Sequence, residues 1–204
     1  MKTPAPLFIA FEGLDGSGKS TCAKLTAQAL GAAYMTTPSP AVRRVQEAFL
    51  SDAGECQEAR QLFYLSTVFA ASRKIEALLR SGRSVVVDRY FLSTQAYAEF
   101  RGSKLQLDGV AGLLQPAAVT IFLDATLEVR TARVISRGGD PADYETLKPE
   151  ADVYLRRAHI RRSALPVVGK FISIDTSLAT PEQVTADVLV NLRRSGLLEP
   201  SRYD

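Results

Sequence analysis

The stretch Leu7-Phe8-Ile9-Ala10-Phe11-Glu12-Gly13-Leu14-Asp15-Gly16-Ser17-Gly18-Lys19-Ser20-Thr21 decides how the whole chain is read. Its first five residues carry no polar side chain, which predicts a strand buried on both faces. Gly13 to Ser20 then fits the pattern G-x-x-x-x-G-K-[ST] of a phosphate-binding loop (P-loop). Glycines let such a loop curl until successive backbone N–H groups point at one oxyanion. The helix expected over about 19–30 adds the partial positive charge of its N-terminus. In this pattern Lys19 reaches the β- and γ-phosphates of a nucleotide and the Ser20 hydroxyl ligates Mg²⁺.

Outward from the loop, short β-rich runs alternate with longer segments of helical period, the pattern of an α/β fold with a mostly parallel sheet. Further strands are expected at Ala33–Thr36, 84–88, Val119–Asp124 and 171–174. Helices are expected over about 41–50, 55–80, 127–137 and 149–165, with a last one starting at Pro181. Five strands separated by helices give one doubly wound domain, 1–204. Apolar residues make up 46% of the 204 and charged residues 23%, which is globular composition and excludes a disordered chain. Two cysteines and one histidine exclude a disulfide framework and a zinc site built on imidazoles. No apolar run approaches a membrane span, and Lys2 followed by a five-residue apolar run is too short for a secretory signal. A reducing, cytoplasmic setting is the expectation.

Asp88 and Asp124 each end an apolar strand. In an open parallel sheet those ends share the edge where ligands bind. Either carboxylate is placed to hold magnesium through water, and Asp88, with Ser20, is the favoured pair. A guanine-reading Asn-Lys-x-Asp segment is missing, since Asn191 is the one asparagine and falls in the last helix. Asp88 is followed by Arg89, which breaks the acidic pair of motor and AAA-type ATPases. A small phosphoryl-transfer kinase remains.

Several further segments fall in a telling order. Phe69-Ala70-Ala71-Ser72-Arg73 precedes Asp88-Arg89-Tyr90, which is followed by Ser93 and Ala96-Tyr97. Arg133 and Arg137, then Gly138, Asp143 and Glu145, come later. With the phosphate loop, these segments resemble the thymidylate kinase family over nearly the whole chain. The resemblance implies a P-loop kinase fold, a five-stranded parallel sheet flanked by helices on both faces, and a small lid at about 137–148. It implies transfer of the ATP γ-phosphoryl to dTMP with Mg²⁺, in a cytosolic homodimer.

The family pattern also suggests roles. Gly13, Asp15, Gly16, Ser17, Gly18, Lys19, Ser20 and Thr21 would bind the nucleotide donor. Asp15, Phe69, Arg73, Arg89, Ser93 and Tyr97 would bind the acceptor. Phe69 would stack on thymine while Arg73, four residues on and so on the same helix face, points at the base. Arg89, planar and permanently charged, suits a phosphate dianion. Tyr97 would pack under the deoxyribose, and Asp15 would act with Arg89 around the 3′-OH and phosphate. The family places a catalytic arginine in the loop or in the lid. Gly16 occupies the loop position, so Arg133 and Arg137 become the catalytic candidates beside Lys19 and Arg89, with Gly138-Gly139 as a hinge.

Three positions depart from the family pattern. Thr36-Thr37-Pro38 keeps only the proline of an Arg-Glu-Pro stretch, which leaves Arg43 or Arg44 to compensate. Ala98 stands where the family has a Gln or Thr that helps read the thymine ring. The lid lacks a basic residue between Asp143 and Glu145. A kinase for another nucleotide or nucleoside, or a non-catalytic nucleotide-binding protein, is the rival reading. Arg156, Arg157, Arg161 and Arg162 around His159 read as a solvated helix face, and no nucleic-acid partner is expected.

Overall fold

The computed structural model describes residues 5–199, so Lys2 lies outside the described residues. Five strands form one parallel sheet in the order β2-β3-β1-β4-β5. They are β1 (Phe8–Gly13), β2 (Ala33–Thr36), β3 (Val85–Asp88), β4 (Val119–Asp124) and β5 (Lys170–Asp175). The central β1 pairs with β3 on one side and β4 on the other, and all six of its residues are buried. That explains its unbroken apolar run. Alternate residues supply two cores. Phe8 and Ala10 join Val85, Val87 and the Leu65, Val68, Ala71 and Ile75 face of helix α3 (Gln57–Arg80). Ile9 and Phe11 join Val86, Ile121 and Leu123 against α1 (Lys19–Ala29) and α8 (Pro181–Arg194). Each fully buried side chain of this size contributes about 1.5–3 kcal/mol.

Local sequence sets the helix starts. Ser39 caps α2 (Pro40–Asp52), Thr126 caps α5 (Leu127–Ser136), and Thr180 with Gln183 forms a capping box at α8. Proline follows the cap in α2 and α8, where its missing N–H costs nothing. A second box, Asp140 with Asp143, starts the short α6 (Pro141–Glu145) inside the expected lid. α1 differs: Gly18 stands at its N-cap and offers no side-chain bond. Its first-turn N–H groups are left free for an anion.

The sequence reading gave no helix to α4 (Phe91–Phe100). Phe91, Leu92, Ser93, Gln95 and Ala96 are all buried, because α3 packs on one side of α4 and α7 (Pro149–Arg161) on another. A helix covered on several sides shows no apolar stripe.

Gly13 has φ +140, and a Cβ there would meet the Leu123 carbonyl oxygen at 2.3 Å. Gly13→Ala is expected to cost about 2–4 kcal/mol through overpacking and backbone strain. A melting curve should show Tm lowered by roughly 5–15 °C.

Candidate active site

At the loop, Lys19 is buried and its ammonium donates to the Leu14 carbonyl at 2.6 Å. Burial, reinforced by the nearby Arg89 charge, pushes its pKa down to about 7. The Ser20 hydroxyl donates to Asp88 Oδ2 at 2.5 Å, while Asp88 Oδ1 is buried without a partner. A hydroxyl beside a carboxylate with a free oxygen is an oxygen donor set that fits Mg²⁺. Asp124 differs: its Oδ1 accepts from the Ala125 N–H and pairs with Arg156, and no hydroxyl stands beside it as Ser20 stands beside Asp88 among the recorded bonds of the described residues.

The acceptor side is built on the turn from β3 into α4. Arg89 has φ +66, the one positive value at a non-glycine among the described residues. A left-handed conformation costs such a residue about 1–3 kcal/mol. Glu12, at the end of β1, holds the turn. Its Oε1 accepts from the N–H groups of Tyr90 (2.9 Å) and Leu92 (3.0 Å). Its Oε2 accepts from the Ser93 N–H (3.2 Å) and the Ser93 hydroxyl. Burial raises the Glu12 pKa, and these bonds pull it back. All four partners are donors, so the turn accommodates the ionised carboxylate.

This turn aims Arg89 across the loop. Its guanidinium donates to Ser93 Oγ (3.1 Å) and pairs with Asp15. Asp15 Oδ2 also accepts from the Tyr97 hydroxyl at 2.8 Å. Burial works to raise the Asp15 pKa, but the Arg89 and Lys19 charges outweigh it and hold the carboxyl well below the usual range. Asp15, Arg89, Ser93 and Tyr97 thus meet at one cavity of about 400 Å³, which Asp140 and Asp143, in the segment expected as a lid, also line.

The arginines of α5 separate in role. Arg137 does not line the cavity but pairs with Asp143, which does, at 2.8 Å, and its charge reaches Asp15. Arg133 instead donates to the carbonyls of Gly16 (3.3 Å) and Thr176 (2.6 Å). Its guanidinium is thereby bonded to the main chain of the loop and to the residue that follows β5. Arg130, fully buried, bonds the Asp15 carbonyl (2.9 Å), the Thr146 carbonyl (3.4 Å) and Asp152 (2.6 Å). Its main chain lies under Gly16, where a Cβ would meet the Arg130 carbonyl oxygen at 2.6 Å. The sequence gave no signal for Arg130, whose partners lie 16 to 115 residues away.

Phe69 and Arg73 do not reach the cavity, which corrects their assignment to the base. Phe69 packs against the core and Arg73 is 85% exposed, bonded to Glu76 at 3.2 Å. α3 lines the cavity with Arg60, Gln61, Tyr64 and Thr67. At 100° per residue, Phe69 lies about 140° around the helix from Tyr64. Arg43 lines the cavity and bonds Thr36 and Pro38, while Arg44 does not line it. Ala98 and Arg101 also line it, at i+4 and i+7 from Thr94 on α4.

The basic cluster on α7 is also corrected in part. Arg156 pairs with Asp124 and Asp152, and Arg162 with Asp108 and Glu99, so neither is a solvated charge. His159 is buried, with Nδ1 at 2.7 Å from the Leu155 carbonyl, and burial pushes its pKa down to about 3.

A P-loop opening a helix beside a carboxylate–hydroxyl pair, next to an arginine-lined cavity, is the arrangement of a phosphoryl-transfer enzyme. The sequence model of the family described as thymidylate kinase matches residues 11–188, and the chain belongs to that family. A probable thymidylate kinase of Pyrobaculum aerophilum is 32% identical over 92% of this chain and 96% of its own. A thymidylate kinase of Rhodopseudomonas palustris is 32% identical over 96% of this chain and 91% of its own. The solved thymidylate kinase of Candida albicans shares the fold, with TM-score 0.73, 22% identity and 98% of both chains covered. The P-loop kinase architecture, with helices on both faces of a five-stranded parallel sheet, therefore stands.

Lys19 generates a pH prediction. A neighbouring polyphosphate favours the ammonium form, so nucleotide binding should raise a pKa that stands at about 7 in the free protein. Between that pH and the higher pKa of the complex, binding must take up a proton, and affinity must fall as pH rises. Titration calorimetry near pH ~8 in buffers of different ionisation enthalpy should show uptake approaching one proton. Lys19→Ala should abolish that uptake.

Proposed function

We propose that the protein transfers the γ-phosphoryl group of ATP to the phosphate of dTMP, giving dTDP and ADP. Family membership supports the reaction, and the meeting of Asp15, Arg89 and Tyr97 at the cavity, with the Lys19 charge close enough to act on Asp15, is the observation that carries it. Arg89 and Arg43 supply two guanidinium groups for the acceptor phosphate. Asp15, kept ionised by Arg89, accepts from the sugar hydroxyl, and Tyr97 packs beneath the sugar. Lys19 exchanges the Leu14 carbonyl for phosphate oxygens. An acceptor oxygen then attacks the γ-phosphorus in line while the bond to ADP breaks. Such a step needs alignment and charge neutralisation more than a base.

Arg137 is the catalytic arginine, released from Asp143 onto the transferring phosphoryl. Gly13 to Thr21 bind the donor. Ser20 and Asp88 would hold Mg²⁺, which neutralises charge on the phosphates when bound. The chain works as one domain with a lid at 137–148, in a cytoplasmic homodimer. Among the described residues no helix is long and apolar enough to cross a membrane.

A coupled ADP-release assay across the common nucleoside monophosphates tests the reading, with dTMP expected as the best acceptor. A purine monophosphate or an unphosphorylated nucleoside as best acceptor would overturn it. Arg137→Ala should lower kcat on the order of 10²–10³-fold with little change in the acceptor KM, since its contact forms with the transferring phosphoryl.

A further inference from the structure

Arg73 was the donor expected to read the acceptor's ring, and its place on the outer side of α3 leaves that task to another group. Four arginines line the cavity: Arg43, Arg60, Arg89 and Arg101. Three are committed. Arg43 bonds Thr36 and the Pro38 carbonyl, Arg60 bonds the Gly54 and Leu50 carbonyls, and Arg89 bonds Asp15 and Ser93. The Arg101 guanidinium makes no hydrogen bond or ion pair among the described residues; its one recorded contact is the face of the Tyr97 ring, 5.8 Å from the centroid.

That contact fixes its relation to the phosphate end. The Arg89 guanidinium carbon lies 5.2 Å from the same ring centroid. Two cations on one tyrosine ring therefore sit within the span of one small molecule, Arg89 at the loop and Arg101 farther along α4. Thr94, Tyr97, Ala98 and Arg101 share one helix face, and all four line the cavity. Ala98 gives no hydrogen bond to a ring but leaves space beside Arg101. The nearby hydroxyls of Thr67 and Thr94 already donate to the Tyr64 (2.7 Å) and Tyr90 (3.0 Å) carbonyls. They present lone pairs, so a keto oxygen needs its donor from elsewhere.

We propose that Arg101 determines acceptor specificity, by donating from its uncommitted guanidinium to a keto oxygen of the pyrimidine ring. The inference rests on the reading of dTMP as acceptor. A ring carrying an amino group at that position sets donor against donor, and loses relative to the keto ring.

The test compares wild type, Arg101→Ala and Arg101→Lys for kcat/KM with dTMP, dUMP and dCMP, alongside melting curves. In Arg101→Ala the dTMP and dUMP values should fall roughly 10- to 100-fold, the range for losing one charge-assisted hydrogen bond, mainly through KM. The value for dCMP should fall far less, so that the dTMP-to-dCMP ratio collapses at least about tenfold. Arg101→Lys, which keeps a charged donor, should restore part of the ratio. An equal loss for all three acceptors, or an unchanged ratio with unchanged Tm, would overturn the proposal. A wild-type enzyme that does not use dTMP would instead overturn the reading on which it rests.

Discussion

A buried carboxylate at the end of the central strand is the contact on which the site depends. Glu12 ties β1 to the start of α4, accepting from three backbone N–H groups and one hydroxyl. Without it those N–H groups would be buried and unpaired, at about 1–3 kcal/mol each. The turn it holds carries Arg89 in its left-handed conformation, and the helix it anchors carries Tyr97, Ala98 and Arg101. Two helix N-termini are thereby treated oppositely. That of α4 is satisfied by Glu12 from within, and that of α1 is left open for a ligand.

The charges around the loop are arranged before any substrate arrives. Arg89 and Tyr97 both bond Asp15 in a largely buried cluster, and Lys19 beside it is bonded to the Leu14 carbonyl. Such preorganisation removes the need to reorient dipoles during the reaction, which is the main electrostatic advantage of an enzyme over water. In the proposed reaction, substrate binding is an exchange of partners: a carbonyl for a phosphate at Lys19, an aspartate for a phosphoryl at Arg137.

Much of the architecture was legible because it is local. The glycine spacing of 13–20, the apolar runs of β1 and β3 and the proline that opens the last helix each act within a few residues. What escaped depends on distant partners. α4 shows no stripe because its neighbours cover it on several sides. Glu12 read only as the end of an apolar run, since its bonds go to residues 78 to 81 positions away. Phe69 and Arg73 were correctly placed on one face of α3, yet which face meets the cavity is set by packing against the sheet. The Phe-x-x-x-Arg spacing carries no information about that phase.

Gly16 gives the loop an evolutionary consequence. Its backbone conformation and the Arg130 main chain beneath it leave no room for any side chain. The two family arrangements, with the catalytic guanidinium in the loop or in the lid, are therefore not separated by a single codon change in this lineage. A move from one to the other must begin with a displaced α5, and until that happens the lid arginine proposed as catalytic has no understudy. Selection on the lid should be correspondingly strict, and drift at position 16 correspondingly rare.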